Sequence, residues 1–285
     1  MILPPNWAAL NQANWDERVP IHVRAREIHH TATLRAGTER LDAIAADTLG
    51  PVDGLRVLHL QCHFGMDTLT IAQMGAASVI GVDFSPPAIV TARALAASLG
   101  YADRPGYADR ARFVEANVYD APAALPEPAS FDRVFVSWGA LCWLPDVHAW
   151  ARVVTGFLKP GGYLALAEAH PAAYVFDSRA ATPDGRPGWF MPYLERQPLV
   201  EDREEDYADP AARLKNTRTV EFLHPLSDTL SALIEAGLRI DRFREHDSVV
   251  WRMFDNLTRH GPGDFRWPDR PWLPLSFSVR AMKLE

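Results

Sequence analysis

At 285 residues the chain has room for one large domain, or for a core domain with a cap. Its 48% apolar content supplies a full core, while a formal charge of −7 and a pI near 5.8 argue against a dedicated nucleic-acid binder, which would show a basic face. Cys62 and Cys142 fall in predicted core segments and make no disulfide framework. No apolar run reaches membrane-spanning length, and the start of the chain lacks a charged-then-apolar signal pattern, so a soluble cytoplasmic protein is expected.

Residues 1–37 stand outside any sheet pattern and carry Trp7, Trp15, His22, His29 and His30, with Arg18, Arg24 and Arg26 between them. They read either as helices packed across the core or as a lid. Thr38 to Leu49 reads as a helix capped by Thr38 and stopped at Gly50-Pro51. The apolar run from Arg56 then ends in a loop closed by Gly65. Helical spacing follows to Gly75, and a second apolar run, Val79 to Asp83, ends in an acid. This is a strand, a turn, a helix and a parallel strand, the unit whose turn meets a nucleotide-like ligand and whose acid accepts from ribose hydroxyls. Asp67-Thr68 opens the intervening helix, where capping is the plain role for both.

Ser85-Pro86-Pro87 is a strong helix start, and that helix ends at Gly100. Tyr-Ala-Asp-Arg then occurs at 101–104 and again at 107–110, too short a period for a repeat architecture, and reads as a loop duplication. A third strand is expected over Ala111 to Val118 and a fourth over Phe131 to Trp138. A helix to Leu158 and a fifth strand over Tyr163 to Ala169 come next. Residues 171–224 interrupt the alternation with aromatics and an acidic run, Glu201 to Asp206, that reads as a solvated face. Thr217 to Leu223 alternates like an edge strand. A helix from Ser227, a strand over Leu238 to Glu245, an aromatic connection over 248–274 and a strand over Leu275 to Leu284 complete the chain.

The stretch Val57-Leu-His-Leu-Gln-Cys-His-Phe-Gly65, with Asp83 beyond it, resembles motifs I and II of the class I S-adenosylmethionine (SAM) dependent methyltransferases, which usually read V-L-D-L-G-C-G-x-G. His59 stands for the usual Asp, and Gln61 and His63 for two glycines. Without those glycines the loop should not use positive φ freely there. The H-L-Q-C-H-F-G form, and Asn14 to His22 before it, resemble a bacterial small-molecule subset. The resemblance implies an α/β, doubly wound seven-stranded sheet with an antiparallel last strand, an N-terminal helical lid over 1–37, and a body over 38–285 with an aromatic insertion at 171–224. It implies SAM as cofactor and S-adenosylhomocysteine as product.

Carried over residue by residue, cofactor contacts fall on Trp15, on Gln61, Cys62, His63, Gly65 and Thr68, and on Asp83, Phe84 and Ser85. They continue at Asn117, where the family has an Asp that meets the adenine amine, with Val118 and Tyr119, and at Ser137, Trp138 and Gly139 near the transferable methyl. Trp143, Tyr174 and Trp189 are the substrate-side candidates. Six of the nine tryptophans (7, 15, 189, 251, 267 and 272) lie outside the expected core, as a wall over the mouth or as glue for the insertions.

Transfer from a sulfonium is an in-line displacement, so alignment and water exclusion dominate, and a nucleophile carrying a proton needs a base. His170 and His224 are the candidates, with Glu168 to orient one of them or to meet substrate. Each has a plain alternative: His170 capping a turn, His224 meeting backbone carbonyls. No spacing of histidines and acids reads as a metal site. The expected function is methylation of an N or O nucleophile on a small, partly aromatic molecule by a monomer or homodimer, without nucleic-acid or membrane partners. The alternatives are an RNA or protein methyltransferase, and a SAM-binding protein that transfers no methyl.

Overall fold

The computed structural model describes residues 4–25, 31–100, 110–209 and 211–285. The duplicated Tyr-Ala-Asp-Arg segment, apart from Arg110, and His29-His30 lie outside them. Helix α1 (Trp7–Arg24) is followed by α2 (Thr31–Ala36) and α3 (Ala43–Leu49). The chain then alternates through β1 (Arg56–Leu60), α4 (Met66–Gln73), β2 (Ser78–Asp83), α5 (Pro86–Ser98) and β3 (Ala111–Glu115). A short α6 (Ala121–Ala124), β4 (Phe131–Ser137), α7 (Val147–Phe157) and β5 (Leu158–Ala169) follow. The interruption contains two ribbons, β6 (Phe176–Asp177) with β7 (Gly188–Trp189) and β8 (Leu199–Asp202) with β9 (Arg218–Glu221). Next come α8 (Leu226–Glu235) and β10 (Leu238–His246), then a small sheet of β11 (Ser248–Val249), β12 (Thr258–Gly261) and β13 (Asp264–Arg266), and finally β14 (Ser276–Lys283).

The main sheet runs β10-β14-β5-β4-β1-β2-β3. Strands β1 to β5 pair in parallel, and β14 is antiparallel to both β5 and β10. Four of the five residues of β1 are buried, as a central parallel strand with helices on both faces requires. Period-2 alternation divides the core. Leu58, Val134 and Leu164 face one cluster, built around Trp150 of α7 and Leu233 of α8, while Val57, Phe135 and Ala165 face the other, with Leu49, Leu69 and Ile89 of α3, α4 and α5. Strand order reverses between β1 and β4, and ligands of such sheets lie in the crevice outside that reversal.

Several boundaries differ from the sequence expectation for identifiable reasons. Asp42, not Thr38, caps α3: its carboxylate accepts from the N–H groups of Ile44 and Ala45, both at 3.0 Å. Strand β3 stops at Glu115 because Asn117 turns the chain into a 3₁₀ turn, its side chain accepting from Tyr119 N–H. The acidic run is a solvated face only in part: Asp202, Glu204 and Glu205 are exposed, but β8 pairs with β9 and Asp206 is 2% exposed. Nor do the tryptophans form one wall. Trp267 and Trp251 belong to a separate small core with Val249, Phe254 and Leu275, Trp7 packs on Phe222, and Trp189 is 79% exposed.

Helix α1 is stitched across the sheet edge by side chains. The Asn11 amide donates to Val220 O and accepts from Val220 N–H, each at 2.8 Å, so it pairs with β9 as another strand would. Glu17 accepts from the N–H groups of Lys215 and Asn216. On its other side Gln12 donates to Phe84 O and Asp16 accepts from Ser85 Oγ. Among the described residues no helix is long and apolar enough to cross a membrane.

Gly65 is where this fold tolerates no side chain. Its φ is +81°, and a Cβ there would lie 2.5 Å from the Phe113 ring. Left-handed strain and overpacking together should make Gly65→Ala cost about 2–4 kcal/mol, read from the urea midpoint at unchanged m. A loss under about 0.5 kcal/mol, the range of an ordinary surface change, would contradict that close approach.

Candidate cofactor site

The loop after β1 takes up left-handed backbone at every second residue: Gln61 at φ 56°, His63 at 52° and Gly65 at 81°. Gln61 and His63 therefore keep the positive φ that their size was expected to deny them, at a strain of about 1–2 kcal/mol each. Specific bonds hold them there. Cys62 N–H donates to Val82 O at 2.9 Å, His63 N–H to Asp83 Oδ2 at 2.8 Å, and Gln61 Nε2 to Ala140 O at 2.7 Å. The loop is tied on one side to the tip of β2 and on the other to the exit of β4.

Asp83 is 7% exposed, and burial pushes its carboxyl up to about 6 against the pull of its backbone hydrogen bonds. One oxygen takes His63 N–H and the other takes Ser85 N–H at 3.0 Å, leaving a lone pair on each for a further donor. Ser85 also caps α5 through Ala88 N–H. Asn117, Val118 and Tyr119 lie one strand away, at the end of β3.

An aromatic roof closes on this loop. The Trp15 ring stands nearly perpendicular to those of His63 and Trp143, with centroids 5.4 Å from each. His22 lies 5.0 Å from His63, and Tyr207 4.9 Å from His22. Behind it, Asp206 Oδ2 meets Arg18 at 2.8 Å and His22 Nε2 at 3.1 Å, and Arg18 Nε donates to Asn14 Oδ1. Burial alone would raise the Asp206 carboxyl, but hydrogen bonds from His22 and Ala208 and the charge of Arg18 hold it below its ordinary range. The sequence signal for this group was half present: Arg18 and His22 are four apart on one helix face. Nothing local marked Asp206 as their partner.

The structure does not bring the three catalytic candidates together. Glu168 accepts from the N–H groups of Gly139 (2.5 Å), Ala140 (2.7 Å), Leu141 (3.0 Å) and Ala169 (2.8 Å), so it pins the exit loop of β4 and orients no histidine. His170 accepts from Ala172 N–H at Nδ1 and meets Glu245 at Nε2, capping a turn beside β14. His224 Nε2 donates to Leu144 O at 2.7 Å and lines a separate cavity of about 120 Å³ with Asp146, His148, Arg196 and Phe222. Burial pushes both histidines down.

Among the other candidates, Thr68 turns inward to His59 at 2.9 Å, and Cys62 Sγ packs against Gly81, so neither side chain faces the mouth. Tyr174 contacts Cys142 on the β4 exit loop, and burial pushes its hydroxyl well up. Trp189, expected on the substrate side, rests on Phe176 in the exposed β6–β7 ribbon. Ser137, Trp138 and Gly139 stand at the crevice, with Trp138 at φ 50° and its indole donating to Asp42 Oδ2 at 2.7 Å.

Known proteins share this fold. Residues 57–162 match the family model described as a methyltransferase domain. An uncharacterised methyltransferase of Synechocystis is 32% identical over 152 residues, which cover 52% of this chain and 64% of that protein. A SAM-dependent methyltransferase structure from Mesorhizobium loti aligns with a TM-score of 0.55 at 26% identity, covering 83% of this chain and 94% of its own. The glycopeptide N-methyltransferase MtfA, solved with SAM, shares the fold at a TM-score of 0.52 and 18% identity, over 90% of this chain and 95% of its own. The strand order, the loop and its acid thus coincide with a methyltransferase-domain match over residues 57–162 and with the fold of SAM-dependent methyltransferase structures.

Proposed function

We propose that the protein transfers the methyl group of SAM to a nitrogen or oxygen nucleophile on a small, partly aromatic molecule, releasing S-adenosylhomocysteine. The observation that carries this reading is the Trp15–His63–Trp143 roof, laid on the left-handed loop beside a buried Asp83. The residues fit the cofactor's adenosine. Asp83 retains acceptor capacity for ribose hydroxyls, and Gln61 Oε1 is a buried acceptor with no hydrogen-bond partner among the described residues. Asn117, Val118 and Tyr119 take the adenine side, and Ser137, Trp138 and Gly139 the methyl side. When bound, SAM supplies a methyl on cationic sulfur. The chain contributes alignment and a dry site.

In this reading residues 1–37 form the lid, and 38–285 the body with its insertion at 171–224. A lid stitched to β9 and to the β2 tip suits a small acceptor better than a macromolecule, and so does the net negative charge. Trp143 and Tyr174 line the acceptor side. Glu168 acts as a positioning residue for the β4 exit loop. His22, oriented by Asp206 and beside His63, displaces His170 and His224 as the base for a nucleophile that carries a proton.

Melting curves test the cofactor directly. SAM or S-adenosylhomocysteine at about 100 times its dissociation constant should stabilise the fold by about 2.7 kcal/mol, and NAD should leave the melting point unchanged. No shift with either sulfur ligand would remove the reading. A further shift from one member of a panel of aromatic amines, phenols and heterocycles would name the acceptor class. Asp83→Ala should weaken S-adenosylhomocysteine by about 1–3 kcal/mol in calorimetry, and unchanged affinity would take Asp83 out of the site. With a panel acceptor, His22→Gln should slow transfer by about 100-fold or more at unaltered cofactor affinity. An undiminished rate would leave His22 a structural role.

A further inference from the structure

The crevice between β1 and β4 holds a second carboxyl. Asp67, in the first turn of α4, accepts from Ser137 Oγ at the tip of β4, 3.3 Å away. The groups that face it are acidic or neutral. Asp42, which caps α3, and Glu39 before it both raise the Asp67 carboxyl. His59 of β1, which meets the neighbouring Thr68 at 2.9 Å, is pushed down to about 3 by burial and carries no charge at neutral pH. No basic side chain pairs with Asp67 among the described residues. Burial and then the charge of Asp42 push Asp67 up to about 7, although the first turn of a helix ordinarily favours an anion. A partly buried carboxyl in such company is stabilised as an anion only if a cation is brought to it.

SAM and its product share one cation, the α-ammonium of their amino-acid end, while the sulfonium belongs to SAM alone. We propose that Asp67, steadied by Ser137, binds that ammonium. This rests on the SAM reading and extends it. Asp83 at the tip of β2 and Asp67 at the β1–β4 crevice would then hold the ribose and the amino-acid end of the cofactor on either side of the 61–65 loop. Below about pH 7 Asp67 is protonated and must release its proton to accept the ammonium. Cofactor affinity should therefore fall about tenfold per pH unit from about 7 towards 6, more steeply below that as Asp83 also takes up a proton, and level off above 7 until the amine loses its own proton.

Calorimetry with two defined probes tests this: S-adenosylhomocysteine, and 5′-methylthioadenosine, which has the adenosine and the thioether but no amino acid. Asp67→Asn should weaken S-adenosylhomocysteine by about 10- to 100-fold while changing 5′-methylthioadenosine less than about threefold. In the unaltered protein at pH 7, where Asp83 is largely ionised, the enthalpy for S-adenosylhomocysteine should vary with the ionisation enthalpy of the buffer, as a proton is released, and that for 5′-methylthioadenosine should vary much less. Equal losses for both probes, or none for S-adenosylhomocysteine, would overturn the assignment. So would a buffer-independent enthalpy, a readout that needs no variant to fold. Failure of both probes to bind the unaltered protein would instead overturn the cofactor reading itself.

Discussion

The hydrogen bond from His63 N–H to Asp83 is the contact on which the site depends. It joins the loop after β1 to the tip of β2 and fixes His63 in left-handed backbone that a residue with a Cβ avoids. The same bond partly satisfies a carboxylate that burial would otherwise keep neutral. Strain in the loop and desolvation of the acid are thus compensated by one another. Gln61 repeats the arrangement toward β4 through its bond to Ala140 O, and Glu168 fixes the far side of that exit loop. Three strand ends are held as one rigid rim.

Above the rim, helix α1 and the insertion form a second layer held by buried polar groups. Arg18, His22 and Asp206 exclude water from one another at 2.8–3.1 Å. A buried pair of this kind contributes little net stability, because desolvation offsets the attraction, but breaking it strands a charge. Its effect is to fix how α1 meets the insertion. The Asn11 bonds to Val220 give that contact a strand-like register. Trp15 and His22 are thereby set over the loop, one as an apolar wall and the other as an oriented imidazole.

What the sequence made legible follows from local physics. Apolar runs and alternation located the seven main strands, and the run from Arg56 to Asp83 located the site, because a tight turn and a strand-tip acid are short-range features. The strand order rested on resemblance, since pairing partners are far apart in the chain. Failures fell where a partner was distant. Asp206 looked solvated because Arg18 and His22 lie some 190 residues earlier. Glu168 looked catalytic because its four backbone donors sit mostly on another strand's exit loop. Trp189 looked like part of a wall because composition does not say which face of a ribbon is outward. The helix expected from Thr38 began at Asp42 because either residue can cap, and geometry chose the one whose carboxylate reaches two N–H groups.

The most direct test of the account is amide hydrogen exchange with and without S-adenosylhomocysteine. A cofactor held between the loop and the roof should slow exchange at 61–66, 83–86 and 137–141, and also within α1, which touches the cofactor's surroundings only if it closes over them. Protection at those segments would place the site where β1, β2 and β4 end beneath Trp15. Protection confined to 145–148 and 222–228, around the separate cavity, would put the ligand elsewhere and contradict it.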